Sequence, residues 1–172
     1  MKERGSALII SLIFLLILSL LAVSGMQSSI MQERMASSQR DSFMAMEVAE
    51  LGLVEAQAVL DGLANIDDFG VTEGFYSQSV APPISNAALW YPGSTPIQSI
   101  QSTSFTIMPD VDLNARYFFE YQGPFVQTQQ LPHQASAAPS QLHSARIVVV
   151  ARGPSGQSQR LIEAYQVFNT NP

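Results

Sequence analysis

The chain has 172 residues, a formal net charge of −6 and no cysteine. This length has room for one long helix and one modest domain. The negative charge argues against a nucleic-acid partner, because phosphate binding needs clustered lysines and arginines, and the four arginines after Arg40 are dispersed. The lack of cysteine excludes a disulfide, a thiolate metal site and a cysteine nucleophile.

The first element in chain order is an uncharged, mostly apolar stretch from Gly5 to Gln32. Roughly 20 apolar residues are enough for a helix to cross a bilayer, so we predict a transmembrane helix over residues 6–26. Lys2 and Arg4 lie on its short N-terminal side, which predicts an N-terminus inside and an exported C-terminal domain.

Two other interpretations of this stretch stay open. A secretory signal peptide has an apolar region of about 7 to 15 residues and a small-x-small cleavage motif, and Ala22-Val23-Ser24 before Gly25 matches that motif. The apolar run is long for a signal peptide, however, and its helical periodicity continues past the cut. The remaining interpretation is a plain anchor that holds an unrelated periplasmic domain.

The flanks of the apolar run carry a more specific pattern. A short charged leader ends at Gly5 and meets the apolar run at Ser6 without a spacer. After the run come Met31-Gln32-Glu33-Arg34-Met35-Ala36, then Arg40-Asp41 and Ala49-Glu50. This N-terminus resembles that of the PilX-type minor pilins of type IV pili, within the type IV pilin and pseudopilin superfamily.

The resemblance implies an α+β, pilin-like fold: a long N-terminal helix, half transmembrane and half amphipathic, packed on a small antiparallel β-sheet. Residues 1–5 would be the leader peptide, 6–26 the transmembrane half of the helix, 27–63 the amphipathic half, and 64–172 the globular domain. Prepilin peptidase would cut between Gly5 and Ser6, and the new N-terminus would be methylated.

The resemblance also implies a function. The subunit would sit in the bacterial inner membrane before assembly and at the pilus, on the cell surface, afterwards. Its partners would be the major pilin, other minor pilins and a tip adhesin, and it would act in pilus priming and assembly, with adhesion and twitching motility as outputs. No enzymatic activity, cofactor or metal is implied.

Ile10 departs from the pilin pattern. In most type IV pilins the fifth residue after the cut is a glutamate, which pairs with the N-terminal amine of the subunit ahead in the filament. Here that residue is isoleucine. A subunit without this carboxylate suits a position with no subunit ahead, so we predict a place at or near the distal tip.

The second half of the helix is predicted to be amphipathic. One arc, predicted to face the core, comprises Met35, Met46, Ala49, Leu53, Ala56, Leu60 and Leu63; a second set, either core or a surface for a neighbouring helix, comprises Met44, Val48, Leu51 and Val59. Gly25 and Gly52 each weaken a helix by about 1 kcal/mol relative to alanine, so we expect bending near them. Asp61-Gly62 and Asn65 predict the end of the helix.

A connector and a sheet are predicted next. Residues 64–102 are rich in glycine and proline, and their large side chains, Phe75-Tyr76 and Trp90-Tyr91, are predicted to fix the loop to the sheet, with partner contact as the alternative. Strands predicted from aromatic and β-branched residues span 103–108, 115–122, 145–152 and 159–168, in one antiparallel sheet. Residues 153–158 predict a hairpin turn, 147–150 a strand covered on both faces, and 127–142 a polar loop.

No catalytic constellation emerges. His133 and His143 lie in or beside the polar loop and are predicted to be exposed to solvent. Asp110, Asp112 and Asn114 alternate as the first ligands of a calcium loop do, but the glycine and the bidentate glutamate of such a loop are missing downstream. A turn between strands is therefore preferred, and calcium binding is left open.

Two other functions compete with the minor pilin. A minor pseudopilin of type II secretion has a similar N-terminus, although the K-type member usually carries a larger globular domain. A membrane-anchored periplasmic enzyme or binding module would need a chemical constellation that the sequence does not display.

Overall fold

The computed structural model describes residues 4–85, 90, 99–108, 111–125 and 142–170, with side chains from Ala7 onward except that of Met108. The chain divides into two compact units, Met1–Arg40 and Asp41–Pro172. The first unit is helical throughout its described length. The second unit contains the rest of the helix and all of the described strands.

A single helix, α1, runs from Arg4 to Asp61. Its predicted end is confirmed: the Gly62 N–H donates to the Ala58 carbonyl at 3.1 Å as the helix finishes. Asn65 then caps a short 3-10 turn by accepting a bond from the Asp67 N–H at 3.2 Å.

Seven strands follow in the described part of the chain, and all four predicted strands are present. They are β1 Phe75–Tyr76, β2 Ile100–Gln101, β3 Phe105–Met108, β4 Val111–Leu113, β5 Ala115–Pro124, β6 Leu142–Arg152 and β7 Gln159–Asn169. The main sheet has the order β1-β5-β6-β7, with β2 also paired to β5. The predicted hairpin is confirmed, because β6 and β7 pair from Arg152↔Gln159 to Leu142↔Asn169.

The expectation of one purely antiparallel sheet is wrong in two details. β3 pairs only with β4, in a separate two-stranded sheet. β1 lies parallel to β5, which the chain allows because the long connector separates the two strands. The fold class is nevertheless the predicted one, an α+β, pilin-like arrangement of a long helix with a small sheet.

The face of the main sheet that meets α1 holds the larger core. Ala49, Ala56 and Leu60 of the predicted arc are fully buried there, and Val48 of the second set is buried with them. Leu53 and Leu63 of the arc also pack against this core. Met46 and Met35, both predicted as core, are instead 37% and 59% exposed. The predicted arc is therefore correct from Ala49 to Leu63 and wrong for its two methionines.

Gly52 lies on the buried face of α1. A Cβ at this position would lie well inside the van der Waals contact distance of the Ala115 Cβ and 3.1 Å from Val149 Cγ1. The helical assignment continues unbroken through Gly52. Its role in the fold is thus to let α1 approach β5 and β6 closely.

The opposite face of the sheet carries a second core. Trp90, Phe118, Val148 and Val150 are buried there, with Tyr76 packed against them. Because Ile147 and Val149 face α1 while Val148 and Val150 face this second core, the prediction that 147–150 is covered on both faces is confirmed. Phe75, Tyr76 and Trp90 do fix the connector to the sheet, and Tyr91 lies outside the described residues.

Candidate functional site: the N-terminal helix and the contacts of its second half

The first unit presents an apolar surface with no protein over it among the described residues. α1 is the one described helix that is long and apolar enough to cross a membrane, and its most apolar window has 0% of its residues buried. Among the serines that interrupt this surface, Ser11 and Ser19 satisfy their hydroxyls within the helix: Ser11 Oγ donates to Leu8 O at 2.9 Å and Ser19 Oγ to Leu16 O at 2.8 Å. A bilayer can therefore accept these serines without leaving a polar group unpaired.

The sequence-predicted site residues lie at the start of this helix. Gly5 and Ser6 belong to α1 by their backbone, while the leader residues before Arg4 lie outside the described part. Ile10 is 54% exposed, within a continuous belt of exposed aliphatic side chains. Its side chain is apolar among apolar neighbours, so this stretch of the helix offers no carboxylate to a neighbouring subunit.

A shallow open depression lies on the same unit, around the segment Gln32-Glu33-Arg34-Met35-Ala36. Met31, Arg34, Met35, Ser38 and Gln39 line it. Met31 and Met35 are 62% and 59% exposed. Exposed methionines are adaptable apolar contacts, so this surface suits helix packing against another subunit.

Asp41, the first residue of the second unit, is the polar anchor of the hairpin turn on α1. Its Oδ1 accepts a bond from the Ser155 N–H at 2.8 Å, and its Oδ2 accepts from Ser155 Oγ at 2.7 Å and from the Ser158 N–H at 3.2 Å. Only 7% of Asp41 is exposed. The carboxylate thus accepts three bonds from the turn, and these bonds fix the β6–β7 hairpin to the helix.

Two further features show how specific this contact is. Hydrogen bonds from Ser158 and Ser155 lower the pKa of Asp41 to about 2, because they stabilise the ionised carboxylate. A Cβ at Gly153 would lie 2.5 Å from the Asp41 carbonyl oxygen. A glycine is therefore required at the position where the turn passes over the helix.

A second polar contact joins the middle of α1 to β5 and to the segment before β3. Glu55 accepts bonds from Thr103 Oγ1 at 2.6 Å and from Tyr117 Oη at 3.2 Å. Burial, and then the negative charge of Glu55, raise the pKa of Tyr117 to about 12. Tyr117 therefore stays protonated and donates to Glu55 at any physiological pH.

Sequence reasoning missed an ionic cluster on the face of the sheet remote from α1. Arg146 Nη1 lies 2.8 Å from Glu120 Oε2, and Arg146 Nε lies 3.2 Å from Glu163 Oε1. Glu120 pairs directly with Arg146 across β5 and β6, whereas Glu163 pairs with Val148 and so lies diagonally opposite Arg146 across β6 and β7. The three charged residues are far apart in the sequence, and only the pairing register of the strands brings them together.

The histidine prediction is wrong for His143. This residue is only 4% exposed, and its Nδ1 lies 3.0 Å from Tyr121 Oη, beside the ring of Phe168. It is buried because β6 begins at Leu142, so His143 belongs to a strand rather than to the loop. His133 lies outside the described residues.

Of the three residues considered as calcium ligands, the structure describes Asp112 and Asn114. Asp112 Oδ1 accepts a bond from Thr106 Oγ1 at 2.7 Å across the β3–β4 pair, while Asp110 lies outside the described part of the chain. Asn114 falls between β4 and β5. In the described ranges no three histidine, aspartate or glutamate side chains come together to hold a metal ion.

Comparison with known proteins agrees with the N-terminal pattern. Residues 4–54 match the PilX N-terminal family, which confirms the resemblance seen in the sequence for that region. No curated protein and no solved structure matches the chain.

Proposed function

We propose that the chain, whose residues 4–54 match the PilX N-terminal family, is a PilX-type minor pilin that primes assembly of the type IV pilus as a structural, non-enzymatic subunit at the filament tip. Its partners there would be other minor pilins, the major pilin and an adhesin. Prepilin peptidase would release it by cutting between Gly5 and Ser6, with methylation of Ser6.

The observation that supports a structural role is the unpartnered apolar surface of the first unit. Leu8 and Leu15 are 67% and 71% exposed, and the aliphatic belt continues along the whole apolar stretch. Such a surface is stable only in lipid or against other apolar helices. A subunit that leaves the membrane for a filament of packed helices meets one environment before assembly and the other afterwards.

Ile10 supports the tip position. An N-terminal amine buried among apolar helices without a counter-charge costs about 3 to 5 kcal/mol, and in most pilins the glutamate at this position of the next subunit supplies that charge. This chain presents Ile10 instead, so a subunit placed ahead of it would keep an unpaired amine. At the tip no subunit lies ahead, and the amine of Ser6 could still pair with the glutamate of the subunit behind.

Immunogold labelling tests this position. An antibody raised against residues 64–102 should label sheared pili at one end only, while an antibody against the major pilin labels the whole shaft. Regular labelling along shafts by the first antibody would refute the tip position.

A pair of variants makes the test sharper. Ile10→Glu should permit incorporation behind other subunits and spread the label along the shaft. Ile13→Glu is the matched control, because Ile13 is 51% exposed and a glutamate there has the same cost of membrane insertion, about 2.5 to 3.5 kcal/mol. A glutamate at residue 13 is not at the position that pairs with the amine of the subunit ahead. It should leave the label at the end, and equal spreading by both variants would contradict the argument from Ile10.

A further inference from the structure

The outer edge of β7 carries an inference that the pilin assignment does not contain. Among the described strands, β7 pairs with β6 alone and ends the order β1-β5-β6-β7. It is 11 residues long, contains no proline or lysine, and pairs with β6 along its whole length without a bulge. Proteins commonly protect an edge strand by short length, proline, lysine or a bulge. β7 has none of these four devices, so its outer backbone groups are suited to pair with a further strand.

An apolar surface lies beside this edge, on the face of the sheet remote from α1. Leu161 pairs with Val150 of the second core, so the odd-numbered residues of β7 share that face. Leu161 and Val167 are 42% exposed, and Tyr165 is 66% exposed. A strand laid along β7 would cover part of each of these three side chains and bury apolar area in addition to forming backbone bonds.

The side of α1 above this edge is also incompletely covered. Ser42 of α1 accepts a bond from Arg160 of β7, and Gln166 Nε2 donates to Asp61 Oδ1 at 2.6 Å. Residues four apart lie on the same side of a helix, so Met46 lies on the side of α1 that Ser42 directs toward β7. Met46 is 37% exposed, and its flexible side chain can pack on an added strand.

The charge beside the edge selects the kind of strand. Glu120 and Glu163 share the guanidinium of Arg146, at 2.8 and 3.2 Å, so these three groups carry one negative charge in excess. Glu163 belongs to β7, and its side chain is 37% exposed. A second copy of β7 would bring the same excess of negative charge, whereas a basic side chain opposite Glu163 would balance it.

These features together define a segment that fits the edge. We propose that β7 receives an extended segment of another protein as an added strand, with apolar side chains beside Leu161, Tyr165 and Val167 and a basic side chain beside Glu163. Backbone bonds supply affinity in this mode of binding, and the alternate side chains supply selectivity. The edge would accept such a segment whether or not the chain assembles into a pilus.

A synthetic peptide tests the edge on the full chain in detergent micelles. Acetyl-Thr-Val-Thr-Val-Thr-Lys-Thr-Val-Thr-amide, aligned antiparallel to β7, places its lysine opposite Glu163 and its valines opposite Leu161, Tyr165 and Val167. Amide hydrogen exchange of the β7 segment, followed by mass spectrometry, measures the pairing. At about 2 mM peptide and a Kd on the order of 1 mM, exchange of the outer amides should slow about threefold, because the rate falls by one plus the ratio of peptide concentration to Kd. A β7 segment without this protection would overturn the proposal.

Two N-methylated forms of this peptide are the matched controls. In an extended chain the amides of alternate residues point to opposite edges. Methyl groups on the valine and lysine nitrogens therefore block one edge, and methyl groups on the threonine nitrogens block the other. One form should protect β7 as the parent peptide does, and the other should give no protection. Equal effects of the two forms would overturn the pairing through the edge.

Charge variants test the selectivity. Replacing the lysine of the peptide by glutamate should weaken binding about fivefold, because like charges would then lie opposite each other. Glu163→Gln should abolish this difference between the two peptides. Equal binding of both peptides to the parent chain would overturn the basic partner, and so would β7 protection that rises with the concentration of the chain alone, which would indicate a second copy.

Surface variants locate the peptide. Val167→Lys places a charge on the apolar surface beside the edge and should weaken binding about fivefold. Val71→Lys, at a side chain that is 86% exposed in the turn before β1, should leave binding unchanged. Thermal midpoints establish that the variants are folded, and Leu161→Lys takes the place of Val167→Lys if that variant does not fold. Unchanged binding in a folded β7 variant would overturn the proposal.

Discussion

Replacing Gly52 by alanine tests how α1 meets the sheet. The new methyl group would overlap with the Ala115 Cβ and lie 3.1 Å from Val149 Cγ1. Carbon contacts are favourable near 3.5 to 4.0 Å, so α1 and β5 must separate by roughly 1 Å. Overpacking of this kind costs about 1 to 3 kcal/mol, and the better helix propensity of alanine returns about 1 kcal/mol.

The net expectation for Gly52→Ala is a loss of up to about 2 kcal/mol in the free energy of unfolding. The assay is urea unfolding of a fragment that begins at Gln27, followed by circular dichroism. Gly62→Ala is the matched control, because its Cβ would meet the Ala58 carbonyl oxygen at an ordinary 3.5 Å. It should change stability by no more than about 0.5 kcal/mol.

A double-mutant cycle isolates the steric cause. Ala115→Gly alone should cost about 1 kcal/mol, because glycine weakens a strand. The double variant Gly52→Ala/Ala115→Gly moves the methyl group from the strand to the helix. Its loss of free energy of unfolding should therefore be smaller than the sum of the two single losses by at least about 1 kcal/mol. Strict additivity, or a Gly52→Ala variant more stable than the parent, would refute the close-approach argument.

Three further predictions follow from the second unit. The fragment from Gln27 should fold without a membrane, since the two cores belong to residues 41–172; poorly dispersed amide NMR signals would contradict this. The pKa of Asp41 is lowered to about 2 in the folded protein, below its value of about 4 in the unfolded chain. The ionised carboxylate therefore stabilises the fold fully above about pH 4, and this stabilisation is lost as the pH falls through about 2. The stability difference between parent and Asp41→Asn should therefore be constant at neutral pH and shrink in acid, and a difference that grows in acid would be evidence against it. Arg146→Met should cost about 3 kcal/mol, because it leaves Glu120 and Glu163 without the cation that they share. Arg160→Met, which removes an arginine that bonds the Ser42 hydroxyl, serves as its control, and equal losses would contradict the role of the ion pairs.

Local patterns were sufficient to predict α1 and the strands β3, β5, β6 and β7, but not the short strands β1, β2 and β4. The end of α1 was set by Asp61-Gly62, and the β6–β7 hairpin by the glycines and serines of its turn. Both signals act within a few residues of the structure that they specify, so no knowledge of distant contacts was needed. The same holds for the apolar stretch, whose length and lack of charge alone indicate a membrane helix.

Contacts between distant residues could not be predicted in this way. Asp41 and Ser155 are 114 positions apart, and no periodicity links them. The edge of the buried face of α1 was not predictable either: Val48 is fully buried while Met46 is 37% exposed, and Gly52 leaves no room for a Cβ beside Ala115. His143 likewise required knowledge of where β6 begins, because one strand end separates a buried position from a loop.

Determining the N-terminus of the mature protein tests most directly the central claim, that this chain is a processed minor pilin. Intact-mass and N-terminal peptide mass spectrometry of the chain isolated from cells with active prepilin peptidase should give a protein that begins at an N-methylated Ser6. The Gly5→Val variant should remain uncut and keep its leader. A parent chain that begins at Gly25, or that retains Met1, would contradict the account of this protein as a processed minor pilin.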